Sequence, residues 1–189
     1  WTGWRPTHML GRQISGKTLG IVGMGRIGRA TAMRAAYGFG MKIIFYNRSA
    51  LSDCGPIEAK QLSSVEEVCA SSDVISLHCA SNRDTRHIIN QKAISQMKPE
   101  AIIINTARGD VIDEEALAEA LEQRLIGGAG LDVFQSEPNI SPRLINAPNT
   151  VLLPHLGSAT TETRNAMGMR VLRNLESFFS GRNVLDPVT

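Results

Sequence analysis

The sequence predicts an α/β protein in which a doubly wound parallel sheet is covered by helices on both faces, and three features carry that expectation. Apolar runs of strand length recur along the chain as "LGIVGM", "KIIFY", "VISL", "AIII" and "VLL". They are unbroken rather than alternating, which is the pattern of strands buried on both faces. Segments with helical spacing and capping residues separate them, and a helix is the usual crossover between parallel strands. Finally, three glycines, Gly23, Gly25 and Gly28, sit where the first apolar run meets the first helical segment. At 189 residues, 42% hydrophobic and 20% charged, the chain has the size and composition of one globular domain with a sizeable core.

Taken in order, residues 18 to 24 read as a buried strand and 26 to 37 as an Ala-rich helix ended by Gly38 and Gly40. A second strand is expected at 42 to 47. A loop around "SDCGP" then leads to Ser63 or Ser64 as the cap of a short helix, whose first-turn Glu66 and Glu67 favour the positive helix end. The third strand is "DVISLHC". A helix from about residue 90 to 97 follows, stopped by Pro99, and then the strand "AIIINTA". Asp113 caps the helix "DEEALAEALEQ", and the strands "GAGLDV" and "TVLLP" complete six. The last helix, about 160 to 180, gathers Val171, Leu172, Leu175, Phe178 and Phe179 on one apolar face.

Composition excludes several classes. A formal charge of +2 without a basic block gives no footprint for nucleic acid. No apolar run approaches the ~20 residues of a spanning helix, so no membrane contact is expected. Cys54, Cys69 and Cys79 lack the spacing of a zinc site and are too few for a disulfide framework; reduced, buried thiols in a cytoplasmic protein are expected, and no metal. The chain shows no signal peptide and starts at Trp1 without an initiator methionine, which suggests a fragment or a processed product.

In a doubly wound sheet, ligands bind beyond the carboxyl ends of the strands. The first end carries Gly23-Met24-Gly25-Arg26-Ile27-Gly28, a G-x-G-x-x-G between strand and helix. Gly23 would allow the tight turn, Gly25 the approach of a pyrophosphate to the helix N-terminus, and Gly28 the packing of helix on strand. A dinucleotide is the ligand this context predicts. The second end is Asn47-Arg48-Ser49, where an NAD site usually places an acid against the ribose hydroxyls. No acid stands there. Arg48 could instead pair with a 2′-phosphate while Ser49 or Asn47 donates a hydrogen bond, so NADP(H) is the expected preference, with NAD(H) possible. Arg48 can also be read as a solvated loop arginine.

The later strand ends, "HCASNRDT", "NTARGDVID", "LDVFQSEP" and "LLPHLGSAT", place Arg108, Asp132, Glu137 and His155 near one edge of the sheet. A guanidinium can grip a substrate carboxylate at two points. A histidine oriented by a carboxylate can carry a proton near neutral pH. Each has a plain structural alternative: a helix-start salt bridge for Arg108, a loop acid for Glu137 and a satisfied imidazole for His155. Their joint position beside a glycine-rich cofactor loop favours a catalytic set.

The segments "GKTLGIVGMGRIGRA", "NTARGDVIDEEAL", "GAGLDVFQSEP" and "LLPHLGSAT" together resemble the signature segments of the D-isomer-specific 2-hydroxyacid dehydrogenases. The Asn-Arg-Ser after the second strand is most similar to the glyoxylate/hydroxypyruvate reductase branch. The resemblance implies a Rossmann-type nucleotide-binding domain and an oxidoreductase that transfers hydride from NADPH to a small 2-oxo acid, giving the D-2-hydroxy acid. It implies that Arg108 binds the substrate carboxylate and carbonyl, that Glu137 orients His155, and that His155 protonates the carbonyl oxygen. It further implies that Gly23 to Gly28 hold the pyrophosphate, and that Thr106, Ala107, Asp132 and Gly157 lie along the cofactor. Glu137 argues against the formate dehydrogenase branch, which uses glutamine there. By the same resemblance residues 1–17 would form an interdomain, dimer-facing segment and 18–175 the nucleotide-binding domain. Residues 176–189 would be the return toward a substrate domain. The expectation is thus a homodimer and the cofactor half of an enzyme, turning over slowly or not at all by itself, with the Phe178 and Phe179 face exposed or self-associated. A second reading is a cofactor-sensing module similar to the transcriptional corepressors that share the Arg-Glu-His set.

Overall fold

A computed structural model describes residues 1–187, so residues 188 and 189, the end of the expected tail, lie outside the described residues. The chain divides into two compact units, Trp1–His155 and the segment from Leu156 onward.

The first unit is a seven-stranded sheet: β1 (Thr18–Val22), β2 (Lys42–Tyr46), β3 (Ala59–Gln61), β4 (Val74–Leu77), β5 (Ile102–Asn105), β6 (Gly128–Leu131) and β7 (Thr150–Leu152). The order across the sheet is β3-β2-β1-β4-β5-β6-β7 and every pairing is parallel. Its helices are α1 (Arg26–Phe39), α2 (Val65–Ser71), α3 (Gln91–Ser95), α4 (Glu114–Glu122) and α5 (Pro142–Asn146). The strand order reverses between β1 and β4, which is where the crevice of a doubly wound fold opens.

The expected α/β architecture is present, with two additions. β3 and α5 lie in stretches expected to be loop. The "AKQ" of β3 carries no apolar run because it is an edge strand of three residues, half open to solvent. Helix α1 also continues through Gly38 to Phe39, and only Gly40 adopts the left-handed cap, with φ 60° and its N–H bonded to carbonyls of the last turn. The expected caps Ser64 and Asp113 are seen, each side chain accepting a backbone N–H of the first turn.

Successive strand residues face opposite sides of the sheet. Leu19 and Ile21 accordingly join α1 in one core with Ala32, Ala35, Ile43 and Phe45. Val22 joins the other, with Val68, Ile75, Leu77, Ile103, Leu117 and Leu131 under α2 to α4. Each of these Val, Leu, Ile and Phe side chains contributes about 1.5–3 kcal/mol through removal from water. Of the cysteines only Cys69 is fully buried, and burial pushes its thiol up to about 12; Cys54 and Cys79 are partly exposed, and all three are free thiols.

In the second unit, Thr160 caps α6 (Thr161–Phe179), which runs unbroken past residue 175. A bidentate Arg170–Asp186 pair, at 2.6 and 2.7 Å, and a Ser177 hydroxyl donating to the Asn183 carbonyl fold the following segment back on the helix. The apolar residues Val171, Leu172, Leu175, Phe178 and Phe179 are exposed. No helix among the described residues is long and apolar enough to cross a membrane.

Backbone contacts impose one strict steric requirement at Gly109. A Cβ there would stand 1.9 Å from the Phe134 carbonyl carbon and 2.3 Å from the Gln135 nitrogen, atoms that cannot move aside cheaply. Gly109→Ala is therefore expected to lower unfolding free energy by about 3 kcal/mol, read as a lower denaturant midpoint at constant slope.

Candidate functional site

The glycine turn is shaped by what it touches. Gly23 has φ 97° and donates its N–H to the Tyr46 carbonyl at 2.9 Å. A Cβ on it would meet the Cys79 nitrogen at 2.7 Å, so the turn lies directly on the backbone at the end of β4. A Cβ on Gly28 would meet the Gly23 carbonyl oxygen at 2.3 Å, which fixes the approach of α1 to the turn. Gly25 is different: it faces open space and has an ordinary φ of −80°. It caps α1 without any side-chain hydrogen bond, and no acid stands in the first turn. No side chain therefore competes for the first N–H groups of α1, as the binding of an anion such as a pyrophosphate requires. Within the motif, the Met24 side chain is buried in the core, while Arg26 and Ile27 are exposed.

Over this turn lies a cleft of about 330 Å³, lined by Val22 and Gly23 at the end of β1, Tyr46 to Ser49 at the end of β2, and His78 to Ala80 after β4. It occupies the crevice at the strand-order reversal. Asn47 and Ser49 are braced from β3, because the Gln61 amide donates to both of their carbonyls at 3.3 and 3.1 Å and accepts the Leu51 N–H. The unexpected edge strand thus supports the loop that carries Arg48. On the far wall, the Ser76 hydroxyl lies 2.9 Å from His78 Nε2, and burial lowers the His78 pKa, so this imidazole is uncharged at neutral pH. Burial likewise raises the Cys79 thiol.

A second cluster forms at the ends of β5 and β6. Asn105, fully buried at the end of β5, shapes the Thr106–Arg108 turn: its amide donates to the Arg108 carbonyl at 2.9 Å and its oxygen accepts the Ala107 N–H at 3.0 Å. Arg108 is exposed and its guanidinium bonds the neighbouring Ala107 carbonyl, with no salt bridge among the described residues. Asp132 is buried and its N–H donates to the Asn105 carbonyl. Glu137 accepts the Phe134 N–H at 2.9 Å with one oxygen and lies 2.8 Å from His155 Nδ1 with the other. The His155 hydrogen bond, the Phe134 N–H and the nearby charges of His155 and Arg108 hold the Glu137 carboxyl below the usual range. Because Nδ1 faces Glu137, Nε2 is the nitrogen left to exchange a proton. His155 itself has φ 55°, a left-handed conformation costing a non-glycine residue on the order of 1 kcal/mol.

Sequence reasoning missed Glu114. This carboxylate is buried at the start of α4 and accepts the Gln135 N–H at 2.6 Å, anchoring the loop that presents Glu137. Its pKa is raised, first by burial and then by the neighbouring Glu115 and Glu137. Within "DEEAL" it reads as a first-turn helix acid, and only the tertiary fold brings Gln135 to it. Gly157 lies in the second unit. No group of three or more metal-ligating side chains occurs among the described residues.

An open helix N-terminus at the sheet crevice, with a histidine–carboxylate pair at neighbouring strand ends, defines a dinucleotide-binding domain equipped for acid–base chemistry. Comparison with known proteins makes this particular: the chain belongs to the D-isomer specific 2-hydroxyacid dehydrogenase family, whose NAD binding domain matches residues 1–157. It is 48% identical over 179 residues to a glyoxylate reductase of Thermococcus litoralis, covering 95% of this chain and 54% of that protein. It is 49% identical over 174 residues to 4-methyl-2-oxopentanoate reductase A of Aspergillus oryzae, covering 92% and 52%. Among solved structures, the NADPH-dependent glyoxylate/hydroxypyruvate reductase of Sinorhizobium meliloti, in complex with NADP and malonate, matches with a TM-score of 0.86 and 36% identity, covering 92% of this chain and 53% of that one. The chain spans about half the length of the curated relatives it matches.

The two carboxyls of the second cluster should titrate on opposite sides of the ordinary glutamate value of 4.5. Glu137, lowered, stabilises the fold above that value and loses its contribution only as pH falls through its lower native pKa; Glu114, raised, is neutralised first, and its protonation favours the fold. Carboxyl-carbon NMR across pH 3–7 is expected to resolve the two in that order, with the gap between them narrowing in His155→Ala; an unchanged Glu137 titration in that variant would show that the two are not paired. At the glycine turn, Gly25→Ala should leave the unfolding midpoint within about 0.5 kcal/mol of wild type yet weaken dinucleotide binding about tenfold or more, whereas Gly28→Ala should lose stability.

Proposed function

We propose that this chain is the cofactor-binding and acid–base half of a reductase that converts a small 2-oxo acid such as glyoxylate or hydroxypyruvate into the D-2-hydroxy acid. The observation that carries this reading is the Glu137–His155 hydrogen bond at 2.8 Å beside Arg108, in a chain that shares nearly half its residues with a glyoxylate reductase. The bound nicotinamide dinucleotide supplies the hydride. His155 donates the matching proton from Nε2 to the substrate carbonyl oxygen, and Glu137, bonded to Nδ1, holds the ring in place for the donation. Arg108 pairs with the substrate carboxylate. In the oxidative direction His155 takes the hydroxyl proton as base. The N–H groups of Gly25 to Gly28 would hold the phosphates, and Thr106, Ala107 and Asp132 would line the rest of the cofactor.

For the cofactor, we infer a preference for NADPH over NADH. Arg48 lines the cleft where no acid follows β2, and the reductase of Sinorhizobium meliloti that this chain resembles is NADPH-dependent. A cytoplasmic homodimer acting on a small molecule is the setting this reading expects.

Steady-state reduction of glyoxylate and hydroxypyruvate by the whole protein, run with both cofactors, tests the proposal. His155→Ala is expected to lower kcat by about 10²- to 10⁴-fold while cofactor affinity is retained. Wild-type rates in that variant would overturn the assignment, and NADH binding tighter than NADPH would overturn the cofactor preference.

A further inference from the structure

The cleft that holds Arg48 also holds a carboxylate. Asp84 lies on the opposite wall, in the loop after β4, with Oδ2 3.9 Å from Arg48 Nη1. Both side chains are largely exposed, at 83% for Arg48 and 73% for Asp84. Asp84 is nevertheless held in a well-bonded turn. The Asn82 side-chain oxygen accepts the N–H groups of Asp84 and Thr85 at 2.9 and 3.2 Å. The Thr85 hydroxyl accepts the Asn82 N–H and donates to the Ala80 carbonyl at 2.6 Å. Ser81, one residue before this turn, is tied to Asp110 at 2.6 Å. The carboxylate is thus presented to the cleft by a braced loop.

We propose that Asp84 is a specificity-determining residue for the cofactor: it faces Arg48 across the nucleotide cleft and weakens the selection of a 2′-phosphate over a 2′-hydroxyl. The inference rests on the reading of Arg48 as the partner of that phosphate. Arg48 can pair with Asp84 or with the phosphate, so binding a phosphorylated cofactor displaces an existing partner. Asp84 also repels a 2′-phosphate, which carries more than one negative charge, but has no such quarrel with a neutral hydroxyl. Both effects act on NADPH and spare NADH. The cleft therefore combines an arginine that favours the phosphate with a carboxylate that limits the advantage, the arrangement of a site that accepts both cofactors with a moderate bias. Exposed pairs interact weakly, so removing the charge should change the affinity ratio by about three- to fivefold rather than by orders of magnitude.

Dissociation constants of NADPH and NADH are measured by calorimetry at low salt for the wild type, Asp84→Asn and Arg48→Ala. Asp84→Asn is expected to raise the ratio Kd(NADH)/Kd(NADPH) about three- to fivefold, chiefly through tighter NADPH binding, and the gain should shrink in about 0.5 M salt. An unchanged or lower ratio in Asp84→Asn overturns the proposal, as does a gain that survives high salt, because that gain would not be electrostatic. The reading of Arg48 is judged separately: Arg48→Ala should bring the ratio down toward one, and an unmoved ratio there sinks that reading whatever Asp84 does.

Discussion

Backbone lying directly on backbone at the strand-order reversal is the contact on which the rest of the site depends. Gly23 rests on the Cys79 and His78 backbone, and Gly28 rests on the Gly23 carbonyl, each at distances that leave no room for a Cβ. Folded interiors are close-packed and transmit strain rather than absorb it. A methyl group at either position would push the end of β1 from β4, or α1 from the turn, and the open N–H groups at the start of α1 would no longer border the cleft. Gly109 repeats the device further along the chain, seating the Arg108 turn against the Phe134 loop. The nucleotide cleft and the acid–base cluster are therefore positioned by the same means: missing side chains at points where main chains meet.

What missing side chains bring together, buried polar groups then orient. Asn105 satisfies two backbone groups of the Thr106–Arg108 turn, and Glu114 holds the Gln135 N–H at the base of the Glu137 loop. Burying such groups is costly unless they are bonded, and both are. Raised pKa at Glu114 and lowered pKa at Glu137 show two carboxylates of one loop system pushed apart by their surroundings. The buried one anchors the loop, and the exposed one stays ionised beside His155.

Sequence pattern reached the parallel α/β fold and the glycine turn because each is announced locally, whereas Arg108, Glu137 and His155 stand out only jointly, through their shared place at strand ends and the family resemblance. An apolar run, a capping serine or a G-x-G-x-x-G is legible within a few residues. Gln61 and Asn105 are not. Gln61 acts through the β2–β3 register, which an "AKQ" stretch without apolar pattern does not disclose, and Asn105 reads as one more polar residue at a strand end. Glu114 is hidden by its own plausibility, since an acid in the first turn of a helix already has a sufficient local explanation. Asp84 stands in the strand-end segment "HCASNRDT", but its pairing with Arg48 depends on how two loops face one another.

These contrasts separate affinity from selectivity. The groups suited to hold phosphates are main-chain N–H groups at the start of α1, fixed by packing and free of any first-turn acid. His78, kept neutral by burial, adds shape to the cleft wall but no charge. On the proposed reading, discrimination near the second strand falls to Arg48 and Asp84, whose charges are exposed and held by loops rather than by the core. Changes at those two positions need not disturb the glycine turn or the fold beneath it, because both side chains are largely exposed. A domain built in this way can keep its grip on the common part of a dinucleotide while its choice between phosphorylated and unphosphorylated forms shifts through single surface charges.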